Sequence, residues 1–126
     1  MIGLPHEKSV QDIRDNVDFL IRLGPNYALF NILSLYPHTQ VHKDALKLGI
    51  AEEGKWEKFA LDPLHYNFRV EHWTEFMTEN ELIDLQRESY RRFYFRPKYI
   101  LNSLLKTTTV HEFKSKVKGV MSLLNI

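Results

Sequence analysis

The 126-residue chain contains no cysteine. Thiol nucleophiles, cysteine-held zinc and cysteine-held iron–sulfur clusters therefore cannot be supplied by these residues, and a disulfide framework is excluded. Glycine and proline are sparse, five of each, and the glycines are scattered singly, so no Gly-rich phosphate loop is present. No apolar run approaches the roughly 20 residues of a membrane span. The amino end, MIGLPHEKSV, has neither the basic start nor the apolar core of a signal peptide, and a cytoplasmic location is the expectation. What the chain does contain, 44% hydrophobic and 26% charged residues, is the balance of a soluble globule with the length of one domain, which excludes intrinsic disorder.

Charge is small in total but unevenly placed. Residues 1–86 carry 8 Lys and Arg against 14 Asp and Glu, whereas residues 87–126 carry 9 against 2, for a formal net charge of +1. A basic carboxyl-terminal third is either a nucleic-acid or phosphate surface, favoured by counterion release, or a helical face that meets acidic residues of its own chain or of a neighbour. Aromatic residues spaced like core positions favour the second reading.

Ser9 followed by Asp12 starts a helix in which Val10, Ile13, Val17, Leu20 and Ile21 recur at helical spacing until Gly24 and Pro25. Residues 27–36, YALFNILSLY, are apolar on both alternating sets of positions and predict a strand buried on both faces, with residues 1–4 as the remnant of a preceding strand. Thr39 caps a second helix that ends at Gly49, and residues 55–61 form a short third one around Trp56 and Phe59. Thr78-Glu79-Asn80-Glu81 is a capping box that opens a helix with Leu82, Leu85, Ser89 and Phe93 inward, flanked by Ile83 and Tyr90. Pro97 suits the first turn of the next helix, and a second capping box at Thr109 opens a last one with Val110, Phe113, Val117, Val120, Met121 and Leu124 on one stripe.

Candidate chemistry is thin. His38 and His42, four apart, share a helical face and suggest a metal pair with Asp44 as third ligand, the basis of a metal-hydrolase reading, but no His-Glu-x-x-His pattern surrounds them. None of the serines lies in a Gly-x-Ser-x-Gly elbow. Glu52-Glu53 and Glu79-Asn80-Glu81 read as turn and capping residues rather than as a general-acid pair. The densest feature is residues 90–99, YRRFYFRPKY, whose interleaved cations and aromatics suit either a small helical module that binds nucleic acid or protein, or a buried stripe of Tyr90, Phe93 and Tyr94 with Arg91 and Arg92 facing water.

Several short motifs occur in a familiar order. Ile2-Gly3-Leu4-Pro5-His6-Glu7-Lys8-Ser9 resembles the (I/F)-G-x-P-G-E-(T/S) segment that follows a late barrel strand in radical S-adenosylmethionine enzymes, and Tyr36-Pro37-His38-Thr39 is similar to their Y-P-G-T turn. Residues 45–50, ALKLGI, resemble the A-x-x-x-G-(L/I) that follows, and residues 90–101 resemble the helical tail of the cobalamin-binding-domain subgroup, which includes the anaerobic magnesium-protoporphyrin monomethyl ester cyclases. His6 and His38 stand where that pattern has glycine, so a β-carbon at each is expected to reshape its turn.

The resemblance implies a carboxyl-terminal fragment of an iron–sulfur oxidoreductase. The implied fold is an α/β fragment, mostly helical, with one or two strands of a partial (β/α) barrel in residues 1–70 and a C-terminal helical region in residues 71–126. It implies an adenine contact near Ile2 and Gly3, no catalytic or metal residues in this chain, and a 4Fe-4S cluster, S-adenosylmethionine and, in that subgroup, cobalamin held by the remainder of the parent chain. Without the cluster cysteines the fragment alone is not competent. A severed barrel also leaves a long apolar strand edge at residues 27–36, which predicts self-association as a homodimer.

Overall fold

The computed structural model describes residues 1–64, 67–105 and 118. Five helices dominate the described residues, and their ends follow local chemistry. Helix α1 (Val10–Leu23) opens on Ser9, whose hydroxyl accepts the Asp12 amide at 3.3 Å while Asp12 Oδ2 accepts the Ser9 amide at 2.9 Å. Two amides that a helix start leaves unpaired thus find partners. The same device at Thr78 and Glu81 opens α4 (Glu79–Tyr94). Between them lie α2 (Gln40–Lys47), capped by Thr39, and α3 (Lys55–Leu61), and α5 (Pro97–Leu105) follows with Pro97 in its first turn. The helix expected over 110–124 lies outside the described residues.

Helices α1 and α4 run parallel, side by side. Arg14 meets Glu88 through two bonds of 2.8 and 3.0 Å, and four residues further along each helix Arg92 meets Asp18 at 2.6 Å. Because both partners advance in the same direction, only a parallel arrangement satisfies both pairs. Between the helices, Ile13 and Val17 bury against Leu82, Leu85 and Phe93 in a core that also takes Ile2, Ala28, Phe30 and Met77. Residues on both sides of position 71 therefore share this core. Each of the buried Ile, Val, Leu, Phe and Met side chains contributes about 1.5–3 kcal/mol by leaving water. A smaller cluster joins Leu35, Ala45 and Trp73.

The expected two-face-buried strand takes a different form. Residues 27–36 are extended, but among the described residues pairing is confined to two isolated bridges, Ile2 to Ile32 in parallel and Ser34 to His72 in antiparallel. Ala28 and Phe30 are buried while Tyr27 and Leu29, which alternate with them, are 66% and 59% exposed, so one face only is covered there. The reason is on α4. Gln86 Nε2 donates to the Phe30 carbonyl at 2.6 Å, the Tyr90 hydroxyl accepts the Phe30 amide at 3.2 Å, and the Tyr94 hydroxyl bonds both polar groups of Ala28. Three side chains at four-residue intervals occupy the edge where a neighbouring strand would pair.

Ile2, α1 and Ile32 do form the outline of a strand–helix–strand unit, with Ile2 bonded to Asn31 and Leu33 at 2.8 Å each. The partial barrel expected from the resemblance is not found among the described residues: the fold is mostly helical, and no barrel sheet forms. No helix among the described residues is long and apolar enough to cross a membrane.

Candidate functional site

A groove of about 330 Å³ opens between the amino-terminal segment, α1 and the extended segment. One face of α1 supplies Ile13, Asn16, Val17 and Leu20, which recur at helical spacing and so project together. Ile2 and Phe30, both buried, form its floor, and exposed Met1, Phe19 and Leu29 stand around its mouth. At its polar end lie His6, exposed, and Glu7, which is 1% exposed.

Glu7 is held by its own turn. Its amide donates to the Leu4 carbonyl at 2.9 Å, while its Oε2 accepts the Leu4 amide at 2.9 Å and its Oε1 accepts Asn16 Nδ2 at 2.7 Å. Among the described residues no cation pairs with it. Sequence reasoning missed Glu7 and Asn16 as site residues. The available signal was a glutamate three positions after Leu4 across Pro5, the spacing at which a side chain closes a turn onto a backbone amide, whereas Asn16 reaches it from the next helix.

The structure separates Ile2 from Gly3. Ile2 turns its side chain into the groove floor, and its amide and carbonyl are both committed to the bridge with residues 31 and 33. Gly3 turns toward α4: its φ is +75°, and a β-carbon there would lie 3.1 Å from Leu82 Cδ2. Glycine is needed at that position for backbone conformation and for the close approach of α4.

Of the two histidines standing where the motif has glycine, His38 keeps the left-handed conformation at φ 65°, whereas His6 does not adopt it. The turn at His38 thus carries backbone strain, and Thr39 braces it from both sides. Its hydroxyl donates to the Tyr36 carbonyl at 2.7 Å and accepts the His42 amide at 3.2 Å.

His38 is exposed and His42 is buried on α2 with its Nε2 unpartnered. Asp44, the expected third ligand, is bound by Gln40 at 2.9 Å and Lys47 at 3.3 Å. Among the described residues no group of three His, Cys, Asp or Glu could hold a metal ion.

Glu81 is placed for capping at the start of α4, whereas Glu52 lies before α3 and pairs with Lys58 at 2.7 Å. The Thr78 backbone and hydroxyl hold Glu81 below its ordinary range, and a hydrogen bond from Lys58 does the same for Glu52. A general acid requires the opposite shift. Ser89 is buried with its hydroxyl donating to the Leu85 carbonyl at 2.6 Å.

The basic aromatic segment is largely spent inside the fold. Phe93 is fully buried, Tyr90 and Tyr94 bond the extended segment, Arg92 pairs with Asp18, and Arg96 lies 4.3 Å above the Phe93 ring while donating to the Phe93 carbonyl at 2.7 Å and the Ile21 carbonyl at 3.2 Å. Arg91 remains exposed. These engagements occupy Arg92, Arg96 and the rings of Tyr90, Phe93 and Tyr94, on which a nucleic-acid-binding module would draw.

No family model matches the chain, and no solved structure matches it. The chain is similar to a protein of Pyrococcus horikoshii named as an uncharacterized methyltransferase, with 26% identity over 124 residues covering 96% of this chain and 25% of the relative. It thus spans about a quarter of the length of the curated relative it matches. That finding overturns the reading as a radical S-adenosylmethionine oxidoreductase of the porphyrin-cyclase kind, since the relative is named for methyl transfer and the barrel that reading requires is not found among the described residues. Iron–sulfur chemistry has no ligands in this chain, which lacks cysteine.

Proposed function

We propose that this chain is one part of a methyltransferase, and that its share is to wall a binding site for the methyl donor S-adenosylmethionine rather than to supply reacting groups. The observation that carries this reading is the similarity running through 124 residues to a quarter of a methyltransferase-named protein. The groove supports it: 330 Å³ lies at the lower end of the roughly 300–1,000 Å³ typical of ligand pockets, and its walls are mostly apolar with a few polar groups at one end. The donor supplies an electrophilic methyl group when bound. Ile2, Val17 and Phe30 would present an apolar surface to it, beside the turn at Glu7.

Titration with S-adenosylhomocysteine, the demethylated product, tests the reading on the chain itself. The expected result is saturable shifts of the Ile2, Val17 and Phe30 amide resonances, with half-saturation at or below about 1 mM, a free energy of roughly −4 kcal/mol. Resonances unmoved at several times that concentration would overturn it.

A further inference from the structure

The groove is lined by a buried carboxyl group that no cation among the described residues pairs with. Glu7 is 1% exposed, yet its hydrogen-bond partners are two neutral donors, the Leu4 amide and Asn16 Nδ2, and among the described residues no Lys, Arg or His pairs with it. Elsewhere the same protein pairs its half-buried carboxylates with cations: Glu71 with Lys55 at 3.3 Å, Glu88 with Arg14 at 2.8 Å and Asp18 with Arg92 at 2.6 Å. A carboxylate removed from water without a counter-charge is costly, and such groups are ordinarily paired or bound to a cation.

We propose that the groove binds a hydrophobic ammonium ion, a ligand with an apolar body and one charged amine, whose charge is matched by Glu7. The apolar floor of Ile2 and Phe30 and the Val17 and Leu20 side chains of α1 accommodate the body. The carboxylate provides about four acceptor positions, of which the two neutral donors use two, so N–H donors of an ammonium group find vacant lone pairs. A ligand whose sole charged group is a carboxylate is disfavoured by like charge. A neutral alcohol of the same length gains the apolar contact and one hydrogen bond without the attraction of opposite charges. Asn16 fixes the orientation of Glu7 from α1, and Leu29 at the mouth controls entry. This ligand class does not depend on methyl transfer, because it follows from charge and shape in the groove.

The test uses the whole chain with three probes of one length, n-hexylammonium, n-hexanol and n-hexanoate, followed by amide resonances at neutral pH. Hexylammonium is expected to saturate at a concentration about tenfold lower than hexanol, with shifts centred on Val17, Leu29 and Phe30, and hexanoate not to bind. In Glu7→Gln the preference for the ammonium is expected to vanish. Because that variant also disturbs the turn at Leu4, Leu29→Trp at the exposed mouth provides a second reading: it keeps the core and is expected to exclude hexylammonium and hexanol alike. Equal binding of ammonium and alcohol by the unaltered chain, shifts mapping away from the groove, or no saturable binding would each overturn the proposal. Binding of hexylammonium without S-adenosylhomocysteine would leave it standing while removing the methyltransferase reading.

Discussion

The Tyr94 hydroxyl is joined twice to Ala28, donating to its carbonyl at 2.8 Å and accepting its amide at 3.1 Å. One phenol thus satisfies both backbone groups that a neighbouring strand would have taken. Tyr94→Phe keeps the ring packing against Phe93 and Tyr99 and deletes both bonds, leaving a part-buried amide and carbonyl without partners. The expected cost is about 1–3 kcal/mol, and Tyr90→Phe, which removes a single bond, costs less. Urea unfolding checks this through a lower midpoint at unchanged slope. A Tyr94→Phe midpoint equal to that of the unaltered chain would show that these bonds contribute nothing.

Gly3 and His38 share the left-handed backbone and make opposite predictions. At Gly3, φ +75°, a β-carbon meets both that conformation and Leu82 Cδ2 at 3.1 Å, so Gly3→Ala is expected to destabilise by about 1–3 kcal/mol. At His38, φ 65°, the β-carbon is already present and strained, and His38→Gly is expected to be neutral or stabilising by up to about 1 kcal/mol, the relief being offset in part by the greater freedom of glycine in the unfolded chain. Thermal melting of the two variants distinguishes them by sign.

Local signals were legible and distant ones were not. The helix start at Ser9, the capping box at Thr78, the Thr39 cap, the bounds of the short helix at 55–61 and the inward set Leu82, Leu85, Ser89 and Phe93 all depend on residues within one or two turns of each other, and the structure reproduces them. The extended segment was read as a strand because alternation reports apolarity on each face but not what pairs the backbone. Its partners, Gln86, Tyr90 and Tyr94, lie 56 to 66 positions away and act through side chains. In the groove, the motif drew attention to Ile2 and Gly3, whereas the buried charge at Glu7 becomes visible only when α1 brings Asn16 against it.

Acid should loosen the contact between α1 and α4. The hydrogen bond from Arg14, aided by the nearby charges of Arg14 and Arg92, holds the Glu88 carboxyl below its ordinary value of 4.5. The unfolded chain therefore binds the Glu88 proton more readily than the folded one, so the stabilisation is fully present above pH 4.5 and is lost as pH falls through the depressed folded value. Melting temperature followed from neutral pH into acid should show a steeper decline for the unaltered chain than for Glu88→Gln. Parallel acid limbs would remove Glu88 from the account.

The division of charge along the chain has a structural consequence at Arg92 and Asp18, where the basic third meets the acidic front at 2.6 Å. Side-chain exposures of 33% and 40% place this pair at the surface, where water and salt weaken it. A double-mutant cycle of Arg92→Ala and Asp18→Ala is therefore expected to yield a coupling of about 0.2–1 kcal/mol, declining as salt is added. Arg92→Ala alone should cost more than that coupling, because Arg92 also lies 3.9 Å from Glu88 and its departure leaves Glu88 with Arg14 only. If the segment instead served nucleic acid, Arg92→Ala would leave stability untouched and weaken salt-sensitive binding to single strands. Chemical unfolding and a low-salt titration on the same variant separate the two outcomes, and the geometry predicts the loss in stability without the loss in binding.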